Sequence, residues 1–347
     1  MKEVFSADLL VSKAHASSVG RRGTTEMTAT SLLFALSIAA CVAVPGHGPI
    51  ERAGPRRPVI LVVHGRGFLS RDSAVFRRRT LHALQEGAFR ATGDSLLEDD
   101  DLRLVWYADL MDVRRRWVRA SMSCERGADS ADVGISPSLI LRSLALVASE
   151  LVDASASDSV ADGARDLAGD LRFVGDPAAR CAAEGRVADA LARAHAEGRP
   201  VVIVAHSLGA LVTWGYLEHR SAGDERDAPE VQRLVTVGSP IGNGELRELL
   251  FGDTAEVSLP RGVRSWVNAV NPDDLFASRL NATDSGSDRA RGLRGISDIV
   301  TGHTDEDAHD LRGYLRDSST AKAVVGAWCE AAEKRSRIAG CVALSKK

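Results

Sequence analysis

The feature that most constrains the fold of this 347-residue chain is a series of short aliphatic runs that alternate with helical patterns. Continuous runs of β-branched and aliphatic residues are typical of parallel strands buried on both faces. Strands that alternate with helices predict βαβ units. We therefore expect an α/β fold with a mostly parallel central sheet and helices on both faces. The predicted strands are Val59–Val63, Leu102–Tyr107, Val201–Ala205, Leu234–Val237, Val263–Val270 and Ile296–Val300, and the clearest helices are Ser73–Arg90, Leu208–Leu217 and Ala321–Ala332.

The composition excludes several classes of protein. Hydrophobic residues make up 44% of the chain and charged residues 26%, which excludes a disordered, collagenous or multi-span membrane protein. The net charge of −3 supplies no general attraction to nucleic acid. We therefore expect a globular protein without a nucleic-acid partner.

The segment from Pro200 to Gly209 predicts a nucleophilic serine. A buried strand runs into Ser207, and a helix follows directly. A sharp turn between strand and helix needs small residues two positions before and two after the serine, and Ala205 and Gly209 stand there. The N–H of Leu208, at the start of the helix, would then stabilise a developing oxyanion. The alternative is a structural serine in a strand–helix turn.

From Pro58 to Ala332 the chain resembles the α/β-hydrolase fold, in the branch of lipase-like serine esterases. The resemblance implies that the loop after the first strand, which reads His-Gly-Arg-Gly-Phe from His64, supplies the second oxyanion N–H through Arg66 or Gly67. Glycine lets the backbone approach a substrate closely. A dinucleotide-binding loop is disfavoured because Ser70 occupies the place of the third glycine.

The resemblance also implies a Ser-acid-His order for the catalytic triad. Asp274 best matches the acid in the loop after the Trp-x-Asn strand, and Asp273 is the alternative. His309, which is closely followed by Tyr and Leu, best matches the base, and His303 is the alternative. The acidic run over 305–307 favours a solvated loop over a divalent-ion site. His206 precedes the serine and is not expected to be the base.

These residues predict a serine hydrolase that cleaves carboxylic esters through an acyl-enzyme. The mechanism requires no cofactor and no metal, and the expected substrate is a small-molecule or lipid ester. Two alternatives remain open: an acyltransferase that uses the same triad on a cell-envelope or lipid acceptor, and a catalytically silent binding protein with the same fold.

The amino terminus predicts export. Residues 30–44 form an apolar run of about 15 residues, shorter than the roughly 20 that cross a bilayer, and they fit a secretory signal. Ile38–Cys41 resembles a bacterial lipoprotein box, in which a lipid on Cys41 would tether the protein to a membrane. We expect a secreted or cell-envelope protein. The alternative is a helix buried at the domain edge of a cytoplasmic protein.

The predicted parts of the chain are an export segment over 1–45, a linker over 46–57 and a catalytic domain over 58–347. Within that domain, no clear strand appears over 112–199. This insertion is either a long crossover helix with surface loops or a helical cap over a pocket, and the sequence leaves both open.

The five cysteines become an even set if Cys41 is removed or lipidated. An even set suits an oxidising compartment. Proximity in the sequence favours the disulfides Cys124–Cys181 and Cys329–Cys341, although four cysteines allow three pairings. Four free thiols in a cytoplasmic enzyme are the alternative.

Overall fold

The computed structural model describes residues 57–65, 72–111, 172–222, 229–252, 256–280, 294–303, 307–332 and 339–345. All of them belong to one compact unit, Arg52–Lys347. The predicted export segment with Cys41 and the predicted oxyanion donors Arg66 and Gly67 lie outside the described residues. No helix among the described residues is both long and apolar enough to cross a membrane.

The described residues form an α/β fold around a six-stranded sheet in the order β2-β1-β3-β4-β5-β6. All neighbouring strands are parallel, which confirms the predicted sheet. The strands are β1 (Val59–Val63), β2 (Leu102–Val105), β3 (Val201–His206), β4 (Val231–Val237), β5 (Trp266–Val270) and β6 (Ile296–Val300).

Helices cover both faces of the sheet. The helices are α1 (Ser73–Thr92), α2 (Ala108–Met111), α3 (Pro177–Ala196), α4 (Leu208–Ala222), α5 (Gly244–Phe251), α6 (Leu311–Arg316), α7 (Ser318–Ala331) and α8 (Ala339–Ser345). Because side chains alternate along a strand, Leu61 and Val63 of β1 pack with α3 and α4, whereas Ile60 and Val62 pack with α1, α6 and α7. Each face therefore has its own hydrophobic core.

Helix α3 occupies the carboxyl-terminal part of the predicted insertion over 112–199. Its side chains Ala183, Val187 and Leu191 are fully buried in the core that includes Leu61 of β1. Asp176 caps its amino terminus by accepting hydrogen bonds from two backbone N–H groups. This helix is the crossover between β2 and β3, and so it belongs to the core and not to a cap. The stretch 112–171 lies outside the described residues.

The chain changes direction across the sheet beside β1. From β1 it goes to β2 on one side, and it then returns to β3 on the other side. In open parallel sheets the crevice at such a point, outside the carboxyl ends of the strands, is the usual place for a site. Here the crevice is bordered by His64 after β1 and by Ser207 after β3.

Cysteine pairing supports part of the sequence prediction. Cys329 in α7 and Cys341 in α8 form a disulfide with a Cα–Cα distance of 5.4 Å, which confirms that pair. Cys181 in α3 is also disulfide-bonded. Its predicted partner, Cys124, lies outside the described residues.

Candidate active site

Ser207 stands in a strained turn between the last residue of β3 and the first residue of α4. Its φ angle is 53°, and it is the one non-glycine residue in the described segments with a left-handed backbone. Such a conformation costs about 1–3 kcal/mol and persists only where the surroundings enforce it. The Ser207 N–H donates a hydrogen bond of 3.1 Å to the Val237 carbonyl of β4, which helps to hold the turn.

Two glycines allow the backbone to close around this turn. A Cβ atom at Gly209 would overlap the carbonyl oxygens of Val63 and His64, because the start of α4 lies against the end of β1. A Cβ atom at Gly65 would lie 2.7 Å from the Cβ atom of Ser207. The loop after β1 therefore begins in direct contact with the serine, where the sequence predicted an oxyanion loop.

The structure brings Ser207, His309 and Asp274 into one chain of hydrogen bonds. The Ser207 hydroxyl lies 2.8 Å from Nε2 of His309, so that it can donate its proton to this nitrogen. On the other side of the ring, Nδ1–H of His309 lies 2.9 Å from both carboxylate oxygens of Asp274. A base within hydrogen-bond reach of a hydroxyl, itself oriented by an acid, is the geometry that activates a serine.

Asp274 is held as a buried carboxylate. Its side chain is fully buried, and it accepts hydrogen bonds from the Tyr314 hydroxyl at 2.7 Å and from the Phe276 N–H at 2.9 Å. Burial alone would raise the pKa of Asp274, but the hydrogen bonds and the charge of His309, with those from Tyr314 and Phe276, lower it below the ordinary value. Asp274 is therefore ionised at neutral pH and can stabilise an imidazolium.

Gly238 lies directly after β4 and has no side chain, and Asp274 and His309 occupy the space where a side chain would lie. Its φ angle is +56°, which favours glycine. A Cβ atom there would lie 2.9 Å from Oδ2 of Asp274 and 3.2 Å from Nδ1 of His309. Any side chain at position 238 would therefore displace Asp274 and His309 from these positions.

His206 fixes the backbone of the base and does not act as one. Its Nε2–H donates a hydrogen bond of 2.8 Å to the His309 carbonyl, while Nδ1 has no hydrogen-bond partner. Burial, together with the neighbouring His309, lowers the pKa of His206 to about 3. The ring is consequently neutral at physiological pH, in agreement with the sequence interpretation.

His64 anchors the start of the loop after β1. Its Nδ1–H donates to the Gly65 carbonyl at 2.6 Å, and its Nε2 accepts from the Tyr107 N–H at 3.2 Å. The Tyr107 hydroxyl donates to the His64 carbonyl at 2.7 Å, and the two rings stack at 4.2 Å. Burial lowers the pKa of His64 to about 4, so that the ring is neutral. The sequence predicted His64 only as the start of the oxyanion loop, and its contacts with Tyr107 had no signal in the sequence.

The alternative acid and base lie elsewhere. Asp273 is exposed, and its N–H donates to Asn271 Oδ1 at 3.2 Å, which stabilises the turn. His303 places Nδ1 at 3.3 Å from Thr301 Oγ1 and Nε2 at 3.1 Å from the Ala308 carbonyl. Among the described residues, Asp274 and His309 are the acid and the base that the structure brings to Ser207. The described residues contain no His, Cys, Asp and Glu cluster that could hold a metal ion.

Apolar side chains lie beside the base. The ring of Phe276 is 4.9 Å from the ring of His309, and the adjacent Leu275 is 76% exposed. Leu208, next to the serine, is partly buried against the core. His309 therefore has an apolar neighbour in the segment that carries Asp274.

Comparisons with protein-family models, with curated proteins and with solved structures find no match to this chain. The geometry of the site joins a hydroxyl, an imidazole and an ionised carboxylate in one line of hydrogen bonds.

Proposed function

We propose that this protein is a serine hydrolase of the α/β-hydrolase type that cleaves carboxylic esters. The observation that carries the proposal is the continuous hydrogen-bond chain from Ser207 through His309 to Asp274, with 2.8 Å and 2.9 Å between the partners. The strained backbone of Ser207 supports it, because strain of this kind is retained where function requires the side chain in one orientation.

The fold assignment is supported by the order in which the strands deliver these groups. Ser207 follows β3 in the interior of the sheet, Asp274 follows β5, and His309 follows β6. All three are presented at the same edge, because the carboxyl ends of parallel strands point in one direction. The chain order Ser, Asp, His is the order of α/β hydrolases.

The proposed reaction runs through an acyl-enzyme. Oγ of Ser207 attacks the ester carbonyl while Nε2 of His309 takes the hydroxyl proton, and Asp274 stabilises the imidazolium. His309 then delivers that proton to the leaving alcohol as the ester C–O bond breaks. In the second half of the reaction, His309 takes a proton from water, and the hydroxide attacks the acyl carbon. The bond between this carbon and Oγ of Ser207 then breaks as the proton returns from His309 to Oγ, which regenerates the serine.

The developing oxyanion needs hydrogen-bond donors. Leu208 is the first residue of the 15-residue helix α4, and the N–H groups in the first turn of a helix have no intrahelical acceptor. The helix dipole adds a partial positive charge at this end. Arg66 or Gly67 as the second donor stays a prediction, supported by the contact of Gly65 with Ser207.

The proposed substrate is a small-molecule or lipid ester with an apolar group next to the scissile bond. Exposed Leu275 and the ring of Phe276 against His309 support an apolar group on this side. The proposed steps use only side chains, backbone N–H groups and water, so the proposal includes neither a cofactor nor a metal.

We also propose export to an oxidising compartment, supported by the disulfide Cys329–Cys341 and by the bonded state of Cys181. Mass spectrometry of the mature protein tests this proposal. Loss of the residues before position 46, or a lipid on Cys41, agrees with export, and a mature chain that retains residues 1–40 contradicts it.

Hydrolysis of p-nitrophenyl esters of increasing acyl length tests the function. The wild type is expected to release the phenol, Ser207→Ala to release none above background, and the exposed control Ser319→Ala to match the wild type. Undiminished hydrolysis by Ser207→Ala contradicts the proposal. Repeating the assay with an added alcohol acceptor distinguishes hydrolysis from acyl transfer, because transfer yields a new ester in place of the free acid.

A further inference from the structure

Tyr314 makes two hydrogen bonds to the segment that carries the acid. Its hydroxyl donates to Oδ2 of Asp274 at 2.7 Å and accepts from the Asn271 N–H at 3.0 Å. The residue is fully buried, so that water does not compete for either bond. A hydroxyl can donate once and accept twice, and this one has its donor on the carboxylate.

The same side chain belongs to the helix that follows the base. Helix α6 begins at Leu311, and the Tyr314 N–H donates to the Asp310 carbonyl at 3.2 Å. The ring therefore reaches from the segment of His309 to the segment of Asp274. It joins two loops that follow different strands, beside the hydrogen bonds from His309 to Asp274 and from Asn271 to His303.

We propose that Tyr314 is a positioning residue that sets the orientation and the charge distribution of Asp274 toward His309. This inference rests on the proposed function, because it assigns Tyr314 a part in the same triad. Tyr314 would affect the reaction only through its hydrogen bond to Asp274. This proposal is supported by the geometry, because Oδ2 of Asp274 accepts hydrogen bonds from both the Tyr314 hydroxyl and Nδ1–H of His309.

The surroundings hold Tyr314 in its position. The ring of His303, the alternative base of the sequence prediction, packs against the ring of Tyr314 with 4.6 Å between the ring centroids and an interplanar angle of 61°. This contact restricts the position of the tyrosine ring. On another side, the absence of a side chain at Gly238 leaves room for its ring edge. Burial and the neighbouring Asp274 raise the pKa of Tyr314 above its ordinary value, so that the hydroxyl remains a donor throughout the working pH range.

The hydrogen bond from Tyr314 withdraws negative charge from the Asp274 carboxylate. Without it, more of that charge acts on the imidazolium of His309, and the proton on His309 becomes harder to remove. Among the residues that the structure describes, the ionisable groups that face His309 are Asp274 after β5, His206 at the end of β3 and Asp307 in its own segment. Within the same described segments, those that face Tyr314 are Asp274, His303 and Asp307. Of these groups, only Asp274 accepts hydrogen bonds from both the base and the tyrosine.

The first test compares Tyr314→Phe with Tyr216→Phe, which removes a hydroxyl from α4 at a partly buried position away from the triad. For Tyr314→Phe we expect kcat to fall about tenfold with KM changed less than about twofold, because the loss is in the transition state and not in substrate binding. In a plot of kcat/KM against pH, the acidic limb, where kcat/KM falls at low pH, is expected to move to higher pH. Tyr216→Phe is expected to match the wild type in all three quantities.

A double-mutant cycle with Asp274→Asn shows whether the effect passes through the acid. If Tyr314 acts on Asp274, then Tyr314→Phe costs nothing further once Asp274 is an amide. An equal tenfold loss in both backgrounds contradicts the proposal, because it would mean that the hydroxyl acts through general packing.

A second measurement keeps the hydroxyl of Tyr314 and changes its acidity. Site-specific 3-fluorotyrosine at position 314 makes this hydroxyl a stronger donor, so that the acidic limb is expected to move to lower pH, the opposite of the shift in Tyr314→Phe. An unchanged limb contradicts the proposal, even where Tyr314→Phe does not fold.

Labelling of Ser207 by a fluorophosphonate separates failure of the inference from failure of the proposed function. If Ser207 is labelled in the wild type and Tyr314→Phe keeps the wild-type kcat and pH profile, the role of Tyr314 is wrong and the hydrolase proposal stands. If Ser207 is not labelled, the proposed function itself is wrong, and the role of Tyr314 falls with it.

Discussion

The two sides of Ser207 are organised by different means. On the acid–base side, Asp274, His309 and Tyr314 are joined by hydrogen bonds between ionisable side chains. On the oxyanion side, that of the predicted oxyanion loop, His64 is neutral, and the close approach of the backbone depends on Gly65 and Gly209 and on the hydrogen bond from His64 to the Gly65 carbonyl. The first side therefore holds a buried carboxylate against a histidine, whereas the second side brings backbone groups close to Ser207.

The difference also explains why three buried or half-buried histidines have three roles. His309 has a carboxylate on one nitrogen and a hydroxyl on the other, so it can cycle between neutral and charged forms. His64 and His206 hydrogen-bond to backbone carbonyls, those of Gly65 and His309. Burial therefore keeps both uncharged.

The largest expected effect separates the two neighbouring acids. Asp274→Asn is expected to lower kcat by about 10⁴-fold, because an amide neither stabilises the imidazolium nor fixes the tautomer of His309. Asp273→Asn, which changes the adjacent exposed carboxylate, is expected to keep kcat within about twofold of the wild type. Steady-state kinetics on the two variants check this. Comparable losses in both would mean that the acid has been assigned to the wrong residue.

The second prediction changes the space around the acid–base pair. Gly238→Ala adds a methyl group against Asp274 and His309 in a backbone conformation that disfavours alanine. We expect activity to fall by about 10²-fold or more, the effect of an atomic displacement near 1 Å. Gly93→Ala is the matched control, because Gly93 also has a positive φ of 78° but no atom within 4 Å of its added Cβ.

Thermal unfolding of Gly238→Ala and Gly93→Ala separates a loss of stability from a loss of activity. Both alanine variants are expected to lose about 1 kcal/mol of unfolding free energy from backbone strain, and only Gly238→Ala loses activity beyond its loss of stability. A fully active Gly238→Ala variant contradicts the close packing of the acid–base side.

The third prediction addresses the oxyanion side. His64→Gln weakens the anchoring of the Gly65 carbonyl and is expected to lower kcat by about tenfold. Because His64 is neutral throughout the working range, the acidic limb of the pH profile is expected to stay in place. The measurement is kcat/KM between pH 5 and 9 for His64→Gln and the wild type. A shift of the limb would contradict the neutral state of His64 in this pH range.

The last prediction concerns stability and not activity. The pKa of His64 is lowered to about 4 and that of His206 to about 3, so below about pH 6.5 the unfolded chain binds more protons than the folded chain. Folding free energy is therefore lost as pH falls from about 6.5 toward these values, by roughly 4 kcal/mol in total between pH 7 and pH 5. Urea unfolding at the two pH values measures this loss. In His64→Gln about half of the pH-dependent loss should disappear, and an unchanged loss contradicts the assignment.

The sequence predicted the sheet well because each strand carries its own signal. Val59–Val63 matches the structure to the residue, since a continuous aliphatic run defines both of its ends, and Ile296–Val300 also matches although serine and aspartate interrupt its apolar residues. The strand predicted from Val263 begins only at Trp266, and Val263 itself makes a single bridge to Val231. The sequence did not predict the bounds of helix α3, because its buried face is largely alanine, which gives weak apolar periodicity.

The site was predictable as a set of candidates and not as a geometry. Asp273 and Asp274 are adjacent in one turn, and only the fold decides which of them is buried against His309. Tyr314 entered the prediction only as a neighbour of His309 and Gly238 not at all, because their importance arises from contacts with Asp274, which lies 40 residues from Tyr314 in the chain. Long-range contacts of this kind are not encoded in the spacing of motifs.

The most direct test of the central claim is the intact mass and peptide map of the protein after reaction with a fluorophosphonate. An activated serine in a triad is expected to give one adduct per chain, located on Ser207, which is absent in Ser207→Ala and formed far more slowly in His309→Ala. The control His303→Ala is expected to keep at least part of the labelling rate, because His303 does not contact the serine. An unlabelled Ser207 in the folded wild-type protein, or labelling that is unaffected by His309→Ala, would contradict the account.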